Sequence, residues 1–177
     1  MDTKIVIRNL REGDIEGLVQ AFPFPWSTPE AMQKLWQNYL KEQDEGIRTS
    51  CLLESGTEIC GYGHFLRVGE NPTFRSMDIP EVNALWIGDS FRRRGLATQL
   101  IAHFEEMARH EGYHTLGLGV GLYKDYGPAQ QLYFKLGYSP DGNGITYKGE
   151  PVTPGSNYPV DDELILWLTK NLRIKRK

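Results

Sequence analysis

Residues Phe91-Arg92-Arg93-Arg94-Gly95-Leu96-Ala97 follow the apolar run Val82 to Ile87 and open a strongly amphipathic stretch, an order that restricts the fold more than any other feature. It calls for a strand, a tight basic turn and a helix in succession. At the helix start the first N–H groups have no partner within the helix, and the macrodipole puts partial positive charge there. Gly95 and Ala97 leave that backbone uncovered, so a pyrophosphate can lie on its N–H groups. Three arginines add charge. In the helix, Leu96, Leu100, Ile101, Phe104, Met107 and Ala108 recur at three- and four-residue spacings, while Gln99, His103, Glu105, Glu106 and Arg109 take the polar face. Gly112 supplies the stop. The turn lacks the Gly-Lys-Ser/Thr of a P-loop and has too few glycines for a dinucleotide fingerprint.

A second segment is independent of the first. Ala129-Gln130-Gln131-Leu132-Tyr133-Phe134-Lys135-Leu136-Gly137-Tyr138 reads as a short helix: Pro128 suits its first turn, Ala129, Leu132 and Leu136 form an apolar stripe, and Gly137 ends it. Together the two segments carry a resemblance. Arg92-Arg93-Arg94-Gly95-Leu96-Ala97 resembles the Arg/Gln-x-x-Gly-x-Gly/Ala turn of the GNAT superfamily of N-acetyltransferases, and Ala129 to Tyr138 resembles that family's later Ala-x-x-Leu-Tyr-x-x-x-Gly-Phe/Tyr segment. It covers most of the chain, from Ile5-Val6-Ile7-Arg8 to Leu164-Ile165-Leu166-Trp167.

The resemblance implies an α/β fold, with a mixed, mostly antiparallel central sheet, helices on both faces, and a splay between two parallel strands, here Val82–Ile87 and Thr115–Val120. It implies acetyl-CoA as co-substrate, no metal, and a small-molecule or peptide amine as acceptor. Leu85, Trp86 and Ile87 would offer backbone groups to pantetheine and the acetyl carbonyl; Arg92, Arg93, Arg94, Gly95, Leu96, Ala97 and Thr98 would hold the diphosphate. Tyr126 stands where relatives often carry an asparagine that bonds the cofactor arm. That departure leaves the pantetheine contact open and the pyrophosphate site untouched.

Acetyl transfer from a thioester to an amine sets three demands. The amine must lose a proton, since an alkylammonium of pKa about 10 has no lone pair. The oxyanion must meet donors. The leaving thiolate gains from a positioned acid. The resemblance implies Tyr133 as that acid, because it occupies the tyrosine of the Leu-Tyr-x-x-x-Gly motif. Glu81, at the start of the Val82 strand, is the candidate base, with ordered water as the alternative and His64 in reserve. His103, His110 and His114 are read as surface residues. For the acceptor, the family's cleft walls would fall on Phe24, Trp26, His64 and Tyr147, and aromatic walls with Asp161 and Asp162 nearby suit a cationic amine. A non-catalytic acyl-CoA-binding or regulatory module of the same fold is the alternative.

Composition fits one globular domain over residues 1–177, with the basic residues 171–177 as a frayed end: 177 residues, 40% hydrophobic and 24% charged. No apolar run reaches transmembrane length and no signal peptide precedes Ile5, so a cytoplasmic protein without membrane contact is expected. A net charge of −3 argues against nucleic-acid binding. A homodimer through the C-terminal strands follows from fold analogy alone. The two cysteines, Cys51 and Cys60, lack metal-ligand spacing, and a hairpin turning at Ser55-Gly56 would set Cys51 against Cys60 and Leu52 against Ile59 as free, buried thiols.

Along the chain, the expected order is a strand around Ile5–Ile7 and a helix over Ile15–Ala21. A second helix starts at Ser27-Thr28-Pro29-Glu30 with a capping box and ends at Gly46. Strands follow at Thr49–Leu53 and Ile59–Val68, then a loose loop from Gly69 to Pro80. Glycines in Thr115 to Gly121 mean that another chain or a ligand approaches that strand closely. Ile145–Tyr147 and Leu164–Leu168 are the last strands.

Overall fold

The computed structural model describes residues 4–173; residues 174–177 of the basic tail lie outside the described residues. The strands are β1 (Ile5–Asn9), β2 (Arg48–Ser55), β3 (Glu58–Leu66), β4 (Glu81–Ile87), β5 (Thr115–Gly121), β6 (Ser139–Tyr147), β7 (Glu150–Pro151) and β8 (Leu164–Asn171). The helices are α1 (Ile15–Ala21), α2 (Pro29–Asp44), α3 (Pro72–Ser76), α4 (Leu96–His110) and α5 (Gly127–Lys135). Strands hydrogen-bond in the order β1-β2-β3-β4-β5-β8-β6-β7, giving the expected mixed α/β sheet with one parallel pair, β4 and β5. Contacts gather into two compact units, each discontinuous in sequence.

The first unit runs to Arg67 and adds Asn83–His103. β1 and β2 pair antiparallel from Ile5 with Ser55 to Asn9 with Cys51. Helices α1 and α2 lay their apolar faces on this sheet, so Leu10, Ile15, Leu18, Phe22, Trp36, Leu52 and Tyr62 form one core. Each such burial contributes about 1.5–3 kcal/mol before entropy is counted. Thr28 caps α2 by accepting from the Ala31 N–H at 3.2 Å. The expected capping box does not form, because Thr28 rather than Ser27 is the cap and Ala31, not Glu30, then falls at the third helical position. The β2–β3 hairpin also differs from its expected register. Ser55 pairs with Glu58 and Glu54 with Ile59, and a bulge then sets Leu53 against Gly61 and Cys51 against Gly63. A two-residue loop and one extra residue at Cys60 shift the whole ladder. Both cysteines are free and buried.

The second unit comprises Val68–Val82 and the chain from Phe104 on. β5 and β8 pair antiparallel from Thr115 with Asn171 to Gly121 with Ile165. The parallel β4–β5 ladder consists of Glu81 with Gly117 and Val82 with Leu118. Within the expected loose loop lies α3, capped by Asn71, whose side chain accepts from the Phe74 N–H at 3.0 Å. Phe74 is fully buried against Trp167. The glycines of β5 answer to this packing. A Cβ at Gly117 would overlap the Phe74 ring, one at Gly119 would lie 2.9 Å from Trp167, and one at Gly121 would overlap the Tyr126 ring. Side chains of the same chain, Phe74, Ile165, Trp167 and Tyr126, make the close approach. Glu105 departs from its expected polar face: it is 6% exposed and accepts from Lys170 Nζ at 2.7 Å and Arg109 at 3.3 Å. Gly112, at φ +88°, ends α4 as expected.

Candidate active site

In the first unit, β4 carries a local irregularity before the basic turn: Ala84 has φ +48°, a left-handed residue inside a strand, a conformation its side chain disfavours. Leu85 and Trp86 are half-buried and Ile87 is buried. A Cβ at Gly61 would lie 2.5 Å from the Trp86 carbonyl, so this glycine lets β3 and β4 close up at that point. Gly88 donates its N–H to the Cys60 carbonyl at 2.9 Å and seals the strand end.

The turn then alternates in handedness. Arg92 has φ −63°, Arg93 +63° and Gly95 +76°, with Arg94 and Leu96 on the negative side. Such alternation gathers successive N–H groups into an anion-holding concavity. At the start of α4 the Gln99 N–H donates to the Gly95 carbonyl at 3.0 Å, so the N–H groups of Leu96, Ala97 and Thr98 precede the helical ladder. Leu96 is buried and anchors the helix start, while Arg93, Arg94 and Gly95 are exposed. Arg94 lies over the Phe91 ring at 5.5 Å. A Cβ at Gly95 would meet nothing within 4 Å, so the glycine serves its backbone conformation rather than a tight space.

Two acceptor candidates of this unit come together. Phe24 and Trp26 stack at 5.4 Å with an interplanar angle of 3°, and Phe24 also meets Trp86 at 6.1 Å. Trp26 is 71% exposed. His64 is elsewhere, fully enclosed by Trp36, Tyr39 and Tyr62, with Nδ1 2.8 Å from Ser50 Oγ. Burial, then the Arg48 charge, push its pKa well below the usual histidine value, so it is neutral at pH 7.

In the second unit, Tyr133 is 8% exposed on α5, and burial lifts its phenol to about 12. It packs edge to face with Tyr138 at 6.3 Å. Glu81 is 1% exposed, and its Oε2 accepts from the Asn71 N–H at 3.2 Å. Tyr126, at the start of α5, donates to Asp162, and Tyr147 donates to Asp161 at 3.1 Å. Sequence reasoning missed the left-handed Ala84 and Arg93, since neither residue type signals that backbone. It also passed over Asp162 as a partner of Tyr126. Among the described residues, no group of three or more His, Cys, Asp and Glu side chains could hold a metal ion. No described helix is long and apolar enough to cross a membrane.

A left-handed residue within β4, a turn of alternating handedness and the start of α4 thus follow one another in the chain. The profile of the Acetyltransferase (GNAT) family matches residues 15–138, and the chain belongs to that family. No curated protein matches it. Several solved structures share its fold. One is the Salmonella typhimurium acetyltransferase that modifies the N-terminal serine of a 50S ribosomal subunit protein, at TM-score 0.72 and 12% identity over 96% of this chain and 95% of that one. Another is a Salmonella typhimurium protein with its cofactor acetyl-CoA, at TM-score 0.67 and 16% identity over 98% and 97%. A third is the Vibrio cholerae spermidine N-acetyltransferase with CoA and spermine, at TM-score 0.64 and 14% identity over 95% of each chain.

Proposed function

We propose that this chain is an acetyl-CoA-dependent N-acetyltransferase acting on a primary amine by direct attack within a ternary complex, as one catalytic domain. The observation that carries the reading is the alternating backbone of residues 92–96 at the start of α4. Its N–H groups fit a diphosphate, with Arg93 and Arg94 adding exposed positive charge. Leu85, Trp86 and Ile87, which follow the left-handed Ala84, would present backbone groups to the pantetheine arm and acetyl carbonyl. Bound acetyl-CoA supplies an activated acyl group on a good leaving thiolate.

The remaining chemistry belongs to this chain. As the amine forms its C–N bond and the C–S bond breaks, one proton leaves nitrogen and one reaches sulfur. Tyr133 is the proposed donor to sulfur. Burial raises its phenol to about 12, so it holds its proton across the neutral range and can give it only as negative charge develops on sulfur. Glu81 is the proposed acceptor of the amine's proton, reached through water because its carboxylate is 1% exposed. Phe24 and Trp26 in the first unit are proposed acceptor contacts, as is Tyr147 in the second, and their aromatic faces would favour a cationic amine. The polyamine and ribosomal-protein acceptors named for structural neighbours support an amine class for this chain too.

The test is a CoA titration by calorimetry combined with a thiol-release assay over polyamines, aminoglycosides and peptide amines. Acceptor-dependent release supports transfer. Saturable CoA binding with no release from any amine would instead make the chain a binding module.

A further inference from the structure

We infer that Asp162 is a positioning residue for Tyr133, acting through Tyr126 at the start of α5; this rests on the acid role proposed for Tyr133. Asp162 Oδ1 accepts from the Tyr126 phenol at 2.9 Å and also from the Tyr123 phenol. The two rings meet edge to face with centroids 5.0 Å apart. One carboxylate oxygen thus holds both ends of the short turn that joins β5 to α5. Tyr126 is the capping residue of α5, and its ring fills the space where a Cβ at Gly121, the last residue of β5, would stand. From the first turn of α5, Gln130 donates its Nε2 to the Gly121 carbonyl at 2.7 Å. Gly121 in turn pairs with Ile165 at the start of β8, just after Asp162 in sequence. The end of β5, the start of β8 and the start of α5 are tied at one corner.

That corner sets the rotation of α5. Tyr133 follows Tyr126 by close to two helical turns, so the two share a face roughly 10 Å apart along the axis. Any rotation that lifts Tyr126 from Gly121 swings the Tyr133 phenol with it. Misplacing a reacting group by about 1 Å costs on the order of 10²-fold in rate. Burial, followed by the bond to Asp162, raises the Tyr126 phenol, so it remains a donor across the neutral range. Asp162 itself is exposed, and its removal therefore disturbs register more than stability.

The experiment compares Asp162→Ala, Asp162→Asn and Tyr126→Phe with the parent, by steady-state kinetics and by amide hydrogen exchange over residues 121–130. Asp162→Ala and Tyr126→Phe should each lower kcat about tenfold or more while KM for acetyl-CoA stays within about twofold. Asp162→Asn keeps an acceptor oxygen and should recover most of the loss, and exchange over 121–130 should quicken in Asp162→Ala alone of the two. Parent-like kcat in Asp162→Ala, or equal losses in the Ala and Asn variants, would overturn the inference. So would unchanged exchange. If the parent itself releases no CoA with any amine, the acid role of Tyr133 falls, and the exchange result still decides whether Asp162 holds this corner.

Discussion

Arg92 turns back onto its own strand: its Nε donates to the Ile87 carbonyl at 3.1 Å, and its guanidinium pairs with Asp89 at 2.8 Å. The first arginine of the turn therefore shapes the loop while staying exposed, as Arg93 and Arg94 are. This division separates their variants. Arg92→Ala should lower stability by about 1 kcal/mol, read as a urea midpoint, since a charged donor to a backbone carbonyl is lost at a part-exposed site. Arg93→Ala and Arg94→Ala should leave the midpoint alone and weaken CoA binding several-fold, with the deficit shrinking at about 1 M salt. Equal, salt-independent effects at all three positions would contradict the division.

Tyr133→Phe removes the hydroxyl and keeps the ring that packs on Tyr138. Turnover should fall on the order of 10²-fold with KM for acetyl-CoA nearly unchanged, because a proton donor acts in the transition state rather than in binding. Unchanged kcat would take Tyr133 out of the mechanism.

His64 makes the fold acid-sensitive. Its folded pKa is depressed, so below the unfolded value near 6.5 the unfolded chain binds a proton that the folded chain refuses. The stability it permits is present above pH 6.5 and is lost as pH falls, by up to about 1.4 kcal/mol per pH unit from this group. Urea midpoints between pH 7.5 and pH 5 should therefore fall more steeply for the parent than for His64→Gln. Parallel slopes would show that the imidazole accepts a proton in the folded chain.

Gly117→Ala tests the packing under β5. The new methyl would overlap the buried Phe74 ring, which is pinned edge-on to Trp167 at 5.4 Å. The loss should be about 1–3 kcal/mol, with part recovered by adding Phe74→Leu. A neutral Gly117→Ala would mean that Phe74 shifts freely.

Periodicity made the regular elements legible. The stripe from Leu96 to Ala108 and the Gly112 stop correspond to α4, and Pro128 and Gly137 bracket α5. Elements set by a single local bond were not legible. Helix α3 is five residues long and depends on the Asn71 cap, which is too short a pattern to show a period. The hairpin register depended on one bulged residue, and the burial of Glu105 on Lys170 far along the chain. At the site, the sequence marks Gly95 only as leaving the backbone uncovered, and its φ of +76° suits its residue type, whereas Ala84 and Arg93 adopt φ values that their side chains disfavour. Tertiary context holds them there, and nothing local in the sequence could signal it.

The most direct measurement is a coenzyme A titration of the 15N-labelled protein, following backbone amide shifts. The largest saturable changes are expected at Gly95, Leu96, Ala97 and Thr98, with a weaker response to inorganic pyrophosphate at the same amides. Saturation of binding with those four amides unmoved would contradict the placement of the diphosphate at the start of α4.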